Sequence, residues 1–145
     1  MASELKVDKF TGVTTAGSIL VTGEGNSTTT NLQQGLCKAW VDLTGTSTVG
    51  INDSFNTSGI TDEGTGHYSN SFTNNFASAN YVRFGSATFF TSNNFHVVTI
   101  GDNNGAAGTL PTTSGYQMRT PYVFNASAAA QDCTIVNVGN VGDLA

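Results

Sequence analysis

The residues that could perform catalysis are few, and none is accompanied by the partners that catalysis needs. His67 and His96 each lie within a strand-like pattern, without a Gly-x-Ser-x-Gly elbow or a comparable nucleophile motif. Asp62 and Glu63 are adjacent, and adjacent strand residues point to opposite faces, so these carboxyl groups would not share a proton or flank a substrate. No glycine-rich phosphate loop joins a strand to a helix. We therefore predict that the chain is not an enzyme and binds no cofactor.

Polar residues that could recognise a partner lie in the segment 101–115, which is rich in Gly, Ala, Thr and Ser. Asp102, Asn103 and Asn104 precede Gly105, and an Asn-Gly pair supplies the positive φ angles of a tight turn. The run lacks the alternating ligands and the final Glu of a calcium loop, so we predict no metal site. Long loops at strand ends often carry binding residues, and this one is our candidate recognition loop.

Trp40 is the only tryptophan of the chain. A large aromatic residue in a well-patterned strand is typical of a core or a subunit contact, and we assign it to one of these. It could instead stack on a sugar. An exposed Trp40 or Tyr116 beside Asp and Asn side chains would favour a carbohydrate-binding module, since β-sandwiches are common scaffolds for such sites.

Cys37 and Cys133 fit no metal-ligand spacing and lie near opposite ends of the predicted domain. We expect two buried, reduced thiols, because thiols stay reduced inside cells and free cysteine packs as a small apolar residue. A disulfide remains an alternative if their two strands are neighbours.

The stretch 36–81 is the most regular part of the chain and reads as a series of β-strands. Residues 36–43 alternate with period two, so one strand could turn Cys37, Ala39, Val41 and Leu43 to a core. The mixed set of Leu36, Lys38, Trp40 and Asp42 would then face a second surface. A short Gly-containing loop at 63–66 separates two further runs, as in a β-hairpin. We expect the core or the subunit contacts to include Trp40, Val41, Phe55, Ile60, Tyr68, Phe72 and Tyr81.

The N-terminal region has a different pattern. Leu5, Val7 and Phe10 alternate with polar residues as in a short edge strand, which would belong to its own domain or add to another chain's sheet. Residues 23–30 show no periodicity and read as a linker. We predict an attachment arm and linker over residues 1–30 and one domain over residues 31–145.

Composition excludes several functions. A chain of 145 residues forms one ordinary domain, and its wealth of Thr, Ser, Asn and Gly predicts strands and turns with little helix. Only five Lys and Arg residues, without a cluster, and a net charge of -5 argue against nucleic-acid binding. No apolar run reaches the roughly 18 residues that span a bilayer, and no secretory signal begins the chain, so we expect no membrane insertion and synthesis in a cytoplasm.

A longer residue pattern resembles a domain that recurs in fibre and other virion-surface proteins of tailed bacteriophages, especially marine ones. The opening Ser3-Glu4-Leu5-Lys6-Val7-Asp8 is similar to the starts of many such fibre proteins, and the chain departs from the pattern after Cys133. The matching residues are Lys38-Ala39-Trp40-Val41, Asp53-Ser54-Phe55-Asn56, Ser58, Ile60-Thr61-Asp62, Gly64-Thr65-Gly66, Tyr68, Phe72, Ala79-Asn80-Tyr81 and Asp132-Cys133 with Val136 and Val138.

The resemblance implies an all-β, homotrimeric, non-enzymatic part of a virus particle. On this basis we expect an antiparallel β-sandwich of jelly-roll type with an extended N-terminal arm. It would serve as a structural virion protein, a fibre, spike or decoration on head or tail, with the arm bound to a larger capsid, portal or tail protein. Contact with a host-surface glycan is a further expectation. The alternative function is a carbohydrate-binding adhesin.

Overall fold

The computed structural model describes residues 4–13, 19–23, 28–89, 95–100, 110–124 and 127–145. The chain divides into two compact units, Met1–Leu36 and Cys37–Ala145. This division falls a few residues after Asn31, where the sequence pattern had placed the boundary.

The first unit contains a small hairpin. Strand β1 (Leu20–Thr22) pairs antiparallel with β2 (Thr29–Asn31). The Gly23 amide donates to the Thr28 carbonyl at 2.8 Å, which closes the hairpin. Thr29 and Thr30, in the segment 23–30 that was predicted as a linker, therefore belong to a paired strand, because they have a neighbour in β1.

A single helical turn, α1 (Leu32–Gly35), follows the hairpin. The Asn31 side chain accepts hydrogen bonds from the amides of Gln33 and Gln34 at 2.8 and 3.3 Å. Asn is a favoured N-cap because its side-chain oxygen satisfies amides that have no partner in the first turn. Among the described residues this is the only helix, as the composition predicts.

Residues 4–13 adopt no regular secondary structure. The short strand predicted at Leu5, Val7 and Phe10 is thus not a strand of this chain's own sheets, since a strand needs a hydrogen-bonded neighbour. The other interpretation, pairing with the sheet of another chain, stays a prediction.

The second unit consists of strands, and every pair of neighbouring strands is antiparallel. This confirms the all-β prediction. The strands are β3 (Cys37–Thr44), β4 (Gly50–Phe55), β5 (Thr57–Gly64), β6 (His67–Phe72), β7 (Val82–Thr88), β8 (Phe95–His96), β9 (Thr99–Ile100), β10 (Gly115–Arg119), β11 (Pro121–Phe124), β12 (Ser127–Ala130) and β13 (Ile135–Val141).

Within the described part of the second unit, these strands form three sheets. The first has the order β4-β3-β13-β7, the second β5-β6-β10-β9, and a three-stranded sheet has the order β12-β11-β8. The hairpin predicted around residues 63–66 is confirmed as β5 and β6. Gly66 lies in the turn of this hairpin and has a φ angle of +60°. It is so close to the Gln131 backbone that a side chain would not fit.

The two four-stranded sheets contribute to one buried cluster. On β3 the predicted face of Ala39, Val41 and Leu43 is buried, and on β6 Tyr68 and Phe72 are buried with Asn70 between them. The cluster comprises Ala39, Val41, Leu43, Tyr68, Phe72, Phe76, Tyr81, Tyr116, Met118, Cys133, Val136 and Val138.

Aromatic rings fill one part of this core. The Phe76 ring centroid lies 4.8 Å from that of Phe72 and 4.4 Å from that of Tyr81. Tyr116 lies 5.7 Å from Phe72. Such tilted and offset ring pairs add to the stabilisation from burial itself.

Burial makes the tyrosines of the core sensitive to alkaline pH. It raises the pKa of Tyr81 from 10.0 to about 12, and it also raises the pKa of Tyr68 and of Tyr116. For Tyr68 the nearby Asp132 carboxylate adds to the rise in pKa. Between pH 10 and about 12 the unfolded chain therefore holds fewer protons than the folded chain, so the free energy of unfolding falls as pH rises.

We predict that the melting temperature is insensitive to tyrosine ionisation below pH 10 and falls progressively between pH 10 and about 12. Thermal melts followed by circular dichroism, with tyrosinate absorbance on the same samples, test this. Tyr81→Phe should reduce the slope. A melting temperature that stays constant up to pH 12 would contradict the role of these buried hydroxyls.

Candidate functional site

The outer face of the β4-β3-β13-β7 sheet carries a row of aromatic residues that crosses all four strands. Phe55 lies opposite Trp40, Trp40 opposite Gly139, and Gly139 opposite Phe84. Directly opposed residues of antiparallel strands share a face, so the row is continuous. We call this side of the sheet the aromatic face.

Alternation along β3 sets the direction of Trp40. Ala39 and Val41 on either side of it are buried in the core, so Trp40 points away from the core and is partly buried on the aromatic face. Phe55 is 52% exposed and Phe84 55% exposed. Two large aromatic side chains thus remain half in solvent within one row.

Gly139 gives the row its shape. A Cβ atom at this position would lie 2.5 Å from atoms of the Phe84 ring. The ring therefore lies over the glycine backbone, an arrangement in which an aromatic side chain covers the gap that a strand glycine leaves. Beside it runs an open groove of about 650 Å³, with Trp40, Phe84 and Ser86 among its lining residues.

A second, apolar row lies next to the aromatic row. Val141 is opposite both Cys37 and Val82, and Val82 is 63% exposed. Cys37 reaches this row through a β-bulge: Ala39 pairs with Asn140 and Cys37 with Val141, which leaves Lys38 as the extra residue.

The bulge explains why the prediction for the cysteines was half wrong. Cys133 is buried and reduced, as predicted, and burial raises the pKa of its thiol. Cys37 is free but exposed, because the extra residue turns its side chain from the core face to the aromatic face. The alternative of a disulfide is not realised.

A polar row borders the aromatic row on its other side. It runs from Asp53 through Asp42 and Asn137 to Ser86. The Asn52 amide donates to the Asp42 carboxylate at 2.8 Å, which offsets part of the repulsion between the two facing aspartates. The aromatic face is therefore apolar at its centre and polar along one border.

The residues predicted for the core or a subunit contact separate into two groups. Val41, Tyr68, Phe72 and Tyr81 are buried in the core, and Ile60 packs against it. Trp40 and Phe55 lie outside the core on the aromatic face, so for these two only the subunit-contact half of the prediction stays open. Tyr116 is buried in the core, so it does not expose the ring that the carbohydrate-binding alternative called for.

Sequence reasoning did not single out Phe84 or Gly139. The alternation of β7 placed Val82 and Phe84 on one side of the strand, but it carried no signal for which side faces solvent. The role of Gly139 depends on a ring that is distant in sequence, so no local pattern could reveal it.

Two further groups of predicted residues belong to the attachment arm and to the candidate recognition loop. Leu5, Val7 and Phe10 are 74%, 47% and 62% exposed, and the Lys6 amine lies 3.4 Å from the Glu4 carboxylate. Asp102, Asn103 and Asn104 lie outside the described residues.

Metal binding, membrane insertion and similarity to known proteins remain to be described. The described part of the chain contains no group of three or more His, Cys, Asp or Glu side chains that could hold a metal ion. Within the same part, no helix has the length and apolar character needed to span a bilayer. Comparisons with protein-family models, with curated protein sequences and with solved structures found no match.

We predict that Gly139→Ala destabilises the protein by about 1–3 kcal/mol, because the added methyl group forces the Phe84 ring off the sheet. Gly59→Ala is the matched control, since a Cβ atom at Gly59 meets no atom within 4 Å. Urea unfolding of both variants measures the difference. Equal stability of the two variants would show that the position of the Phe84 ring does not depend on close contact with Gly139.

Proposed function

We propose that the protein is a structural virion protein of a tailed bacteriophage, a fibre, spike or decoration on head or tail that assembles as a homotrimer. Its two four-stranded sheets would pack as a β-sandwich. The proposal rests on the residue pattern that resembles phage virion-surface domains and on one structural observation, the aromatic face.

The size of the exposed apolar surface supports an assembly role. Half-exposed Phe55 and Phe84 each contribute roughly 100 Å² of accessible area, since a whole aromatic side chain covers about 150–250 Å². With Val82 and part of Trp40 the patch reaches roughly 300–400 Å², a size at which exposed apolar patches are often interaction sites. A standard interface buries about 800 Å² per partner, so this patch would supply its apolar centre.

A second copy of the chain is the occupant that we propose. The aromatic face covers the outer side of a four-stranded sheet, and three such faces can meet around a three-fold axis with their aromatic rows at the centre. The border of Asp42 and Asp53 would then stay in solvent, where like charges from different copies do not have to be buried together. Uncharged polar residues dominate the rest of the chain, which limits repulsion between copies.

The outer face of the second sheet differs from the aromatic face. Thr61, Ser69 and Gln117 lie opposite one another across β5, β6 and β10. Such a hydroxyl and amide surface remains favourably hydrated in a free domain, so it is not the face that we assign to assembly.

We predict that the protein sediments as a trimer at micromolar concentration and that Phe84→Glu makes it monomeric. A buried carboxylate at the centre of the contact would lack a partner, and central aromatic residues often contribute about 2 kcal/mol or more to an interface. Thr61→Glu, on the outer face of the other sheet, is the matched control and should stay trimeric.

Circular dichroism should show that the Phe84→Glu monomer is folded, because the side chain is already half exposed. A wild-type monomer in sedimentation equilibrium, or a trimer that persists in Phe84→Glu, would refute the aromatic face as the subunit contact.

For the first unit we propose attachment to a larger particle protein. Leu5, Val7 and Phe10 are exposed on a segment without a strand of its own. Such a segment could add as an extended strand to the edge of another chain's sheet. Three copies of the arm in one trimer would raise the effective concentration of each for its target.

We predict that deletion of residues 1–36 leaves the Cys37–Ala145 unit folded and trimeric but unable to join particles. Assembly assays with purified particles, together with thermal melts, test this. If the shortened protein unfolds, the first unit is part of the domain's stability; if it still joins particles, attachment lies in the second unit.

A further inference from the structure

The outer face of the second sheet contains a small cleft of about 220 Å³. One side is formed by β6 and β10, and the other by the residues that precede β10. Ser69, Ser71, Leu110, Thr112, Ser114 and Gln117 are among its lining residues. Leu110 to Ser114 belong to the long polar segment in which the sequence predicted a recognition loop, and they form its described end.

The turn that forms one side of the cleft is held in place by several hydrogen bonds. The Thr112 amide donates to the Gly115 carbonyl at 2.9 Å. The buried Tyr81 hydroxyl lies 3.1 Å from both the Thr112 and Gly115 carbonyl oxygens. The Phe72 amide also donates to the Ser114 carbonyl at 2.8 Å. A site whose groups are fixed before binding loses less conformational entropy when a ligand arrives.

Gly115 allows the turn to approach β6 closely. A Cβ atom at this position would collide with the Asn70 carbonyl oxygen. The hydroxyl groups of Ser114 and Thr112, which lie 3.1 Å apart, are thereby brought against the strand.

The cleft offers uncharged donors and acceptors. The Ser69 hydroxyl donates to the Glu63 carboxylate at 2.7 Å and accepts from the Gln117 amide nitrogen at 3.4 Å. These bonds orient the Gln117 amide. The remaining hydrogen-bonding capacity of the Gln117 amide, together with the hydroxyl groups of Ser114 and Thr112, is what the cleft offers to a ligand.

These features identify the class of ligand. The residues known to line the cleft include no Lys, Arg or His, so phosphate and sulfate find no cation there, and Glu63 at its border disfavours anions. Leu110 is 81% exposed and offers an apolar surface beside the hydroxyl groups. A ligand with both C–H faces and many hydroxyl groups fits this combination. The volume is below the 300–1,000 Å³ typical of sites for drug-sized ligands, which limits the occupant to about one ring.

We propose that this cleft binds one ring of an uncharged sugar. The proposal goes beyond assembly and does not rest on it, because the cleft and the aromatic face lie on different sheets. The sequence had suggested Trp40 or Tyr116 as the sugar-binding residue. The site proposed here is instead formed by Ser114 and Gln117.

The test uses the full chain with D-glucose, D-galactose, D-mannose and N-acetyl-D-glucosamine as probes in saturation-transfer NMR and calorimetry. We expect at least one of them to bind with a Kd on the order of 1–10 mM, as few hydrogen bonds support the contact. Gln117→Ala and Ser114→Ala should each weaken that binding about tenfold, the loss expected for one hydrogen bond to a ligand.

Ser86→Ala, which removes a hydroxyl from the aromatic face, is the matched control and should bind like the wild type. Absence of binding by all the sugars, or an equal loss in Ser86→Ala or Trp40→Ala, would overturn the proposal. Sedimentation of the same samples separates the two proposals: a trimer that binds no sugar refutes only the cleft, and a monomer that binds sugar refutes only the trimer.

Discussion

The pairing of β13 with both β3 and β7 is the interaction on which the rest of the second unit depends. The last strand of the chain lies between a strand that begins at Cys37 and one that begins at Val82. These contacts join residues far apart in sequence, so their formation has a large entropic cost that local structure does not offset. Val136 and Val138 on the inner side of β13 complete the core, and Gly139 on its outer side supports the aromatic row.

A strand in this central position must satisfy two surfaces at once. Its inner residues pack against the aromatic and aliphatic side chains that the second sheet contributes to the same cluster. Its outer residues have to leave room for Phe84, which explains a glycine where a sheet would otherwise prefer a β-branched residue. Asn140, also on the inner side, is fully buried and donates to the Ala39 carbonyl at 3.2 Å, which ties β13 to β3 through a side chain as well.

The outer faces of the two four-stranded sheets differ in chemistry, and this difference separates the two proposed roles. One face exposes Phe55 and Phe84 and suits contact with another apolar surface. The other presents Ser69 and Gln117 beside the hydrogen-bonded turn at residues 112–114 and suits a hydroxyl-rich ligand. A domain whose two outer faces differ in this way can assemble through the aromatic face while the face with Ser69 and Gln117 stays in contact with solvent.

The sequence by itself determined the all-β character, the β5–β6 hairpin and which residues of β3 and β6 share a face, because these depend on composition, turn residues and period two. Period two also set Trp40 on the face of β3 opposite Ala39, Val41 and Leu43, but it could not decide whether that second face is covered. Trp40 lies outside the core because the buried cluster forms on the other side of β3, through packing against distant strands. The exposure of Cys37 follows from one extra residue in β3, which only the register with β13 defines. The cleft likewise required the tertiary structure, since Tyr81 and Gly115 bring the Thr112–Ser114 turn against β6 across a long separation in sequence.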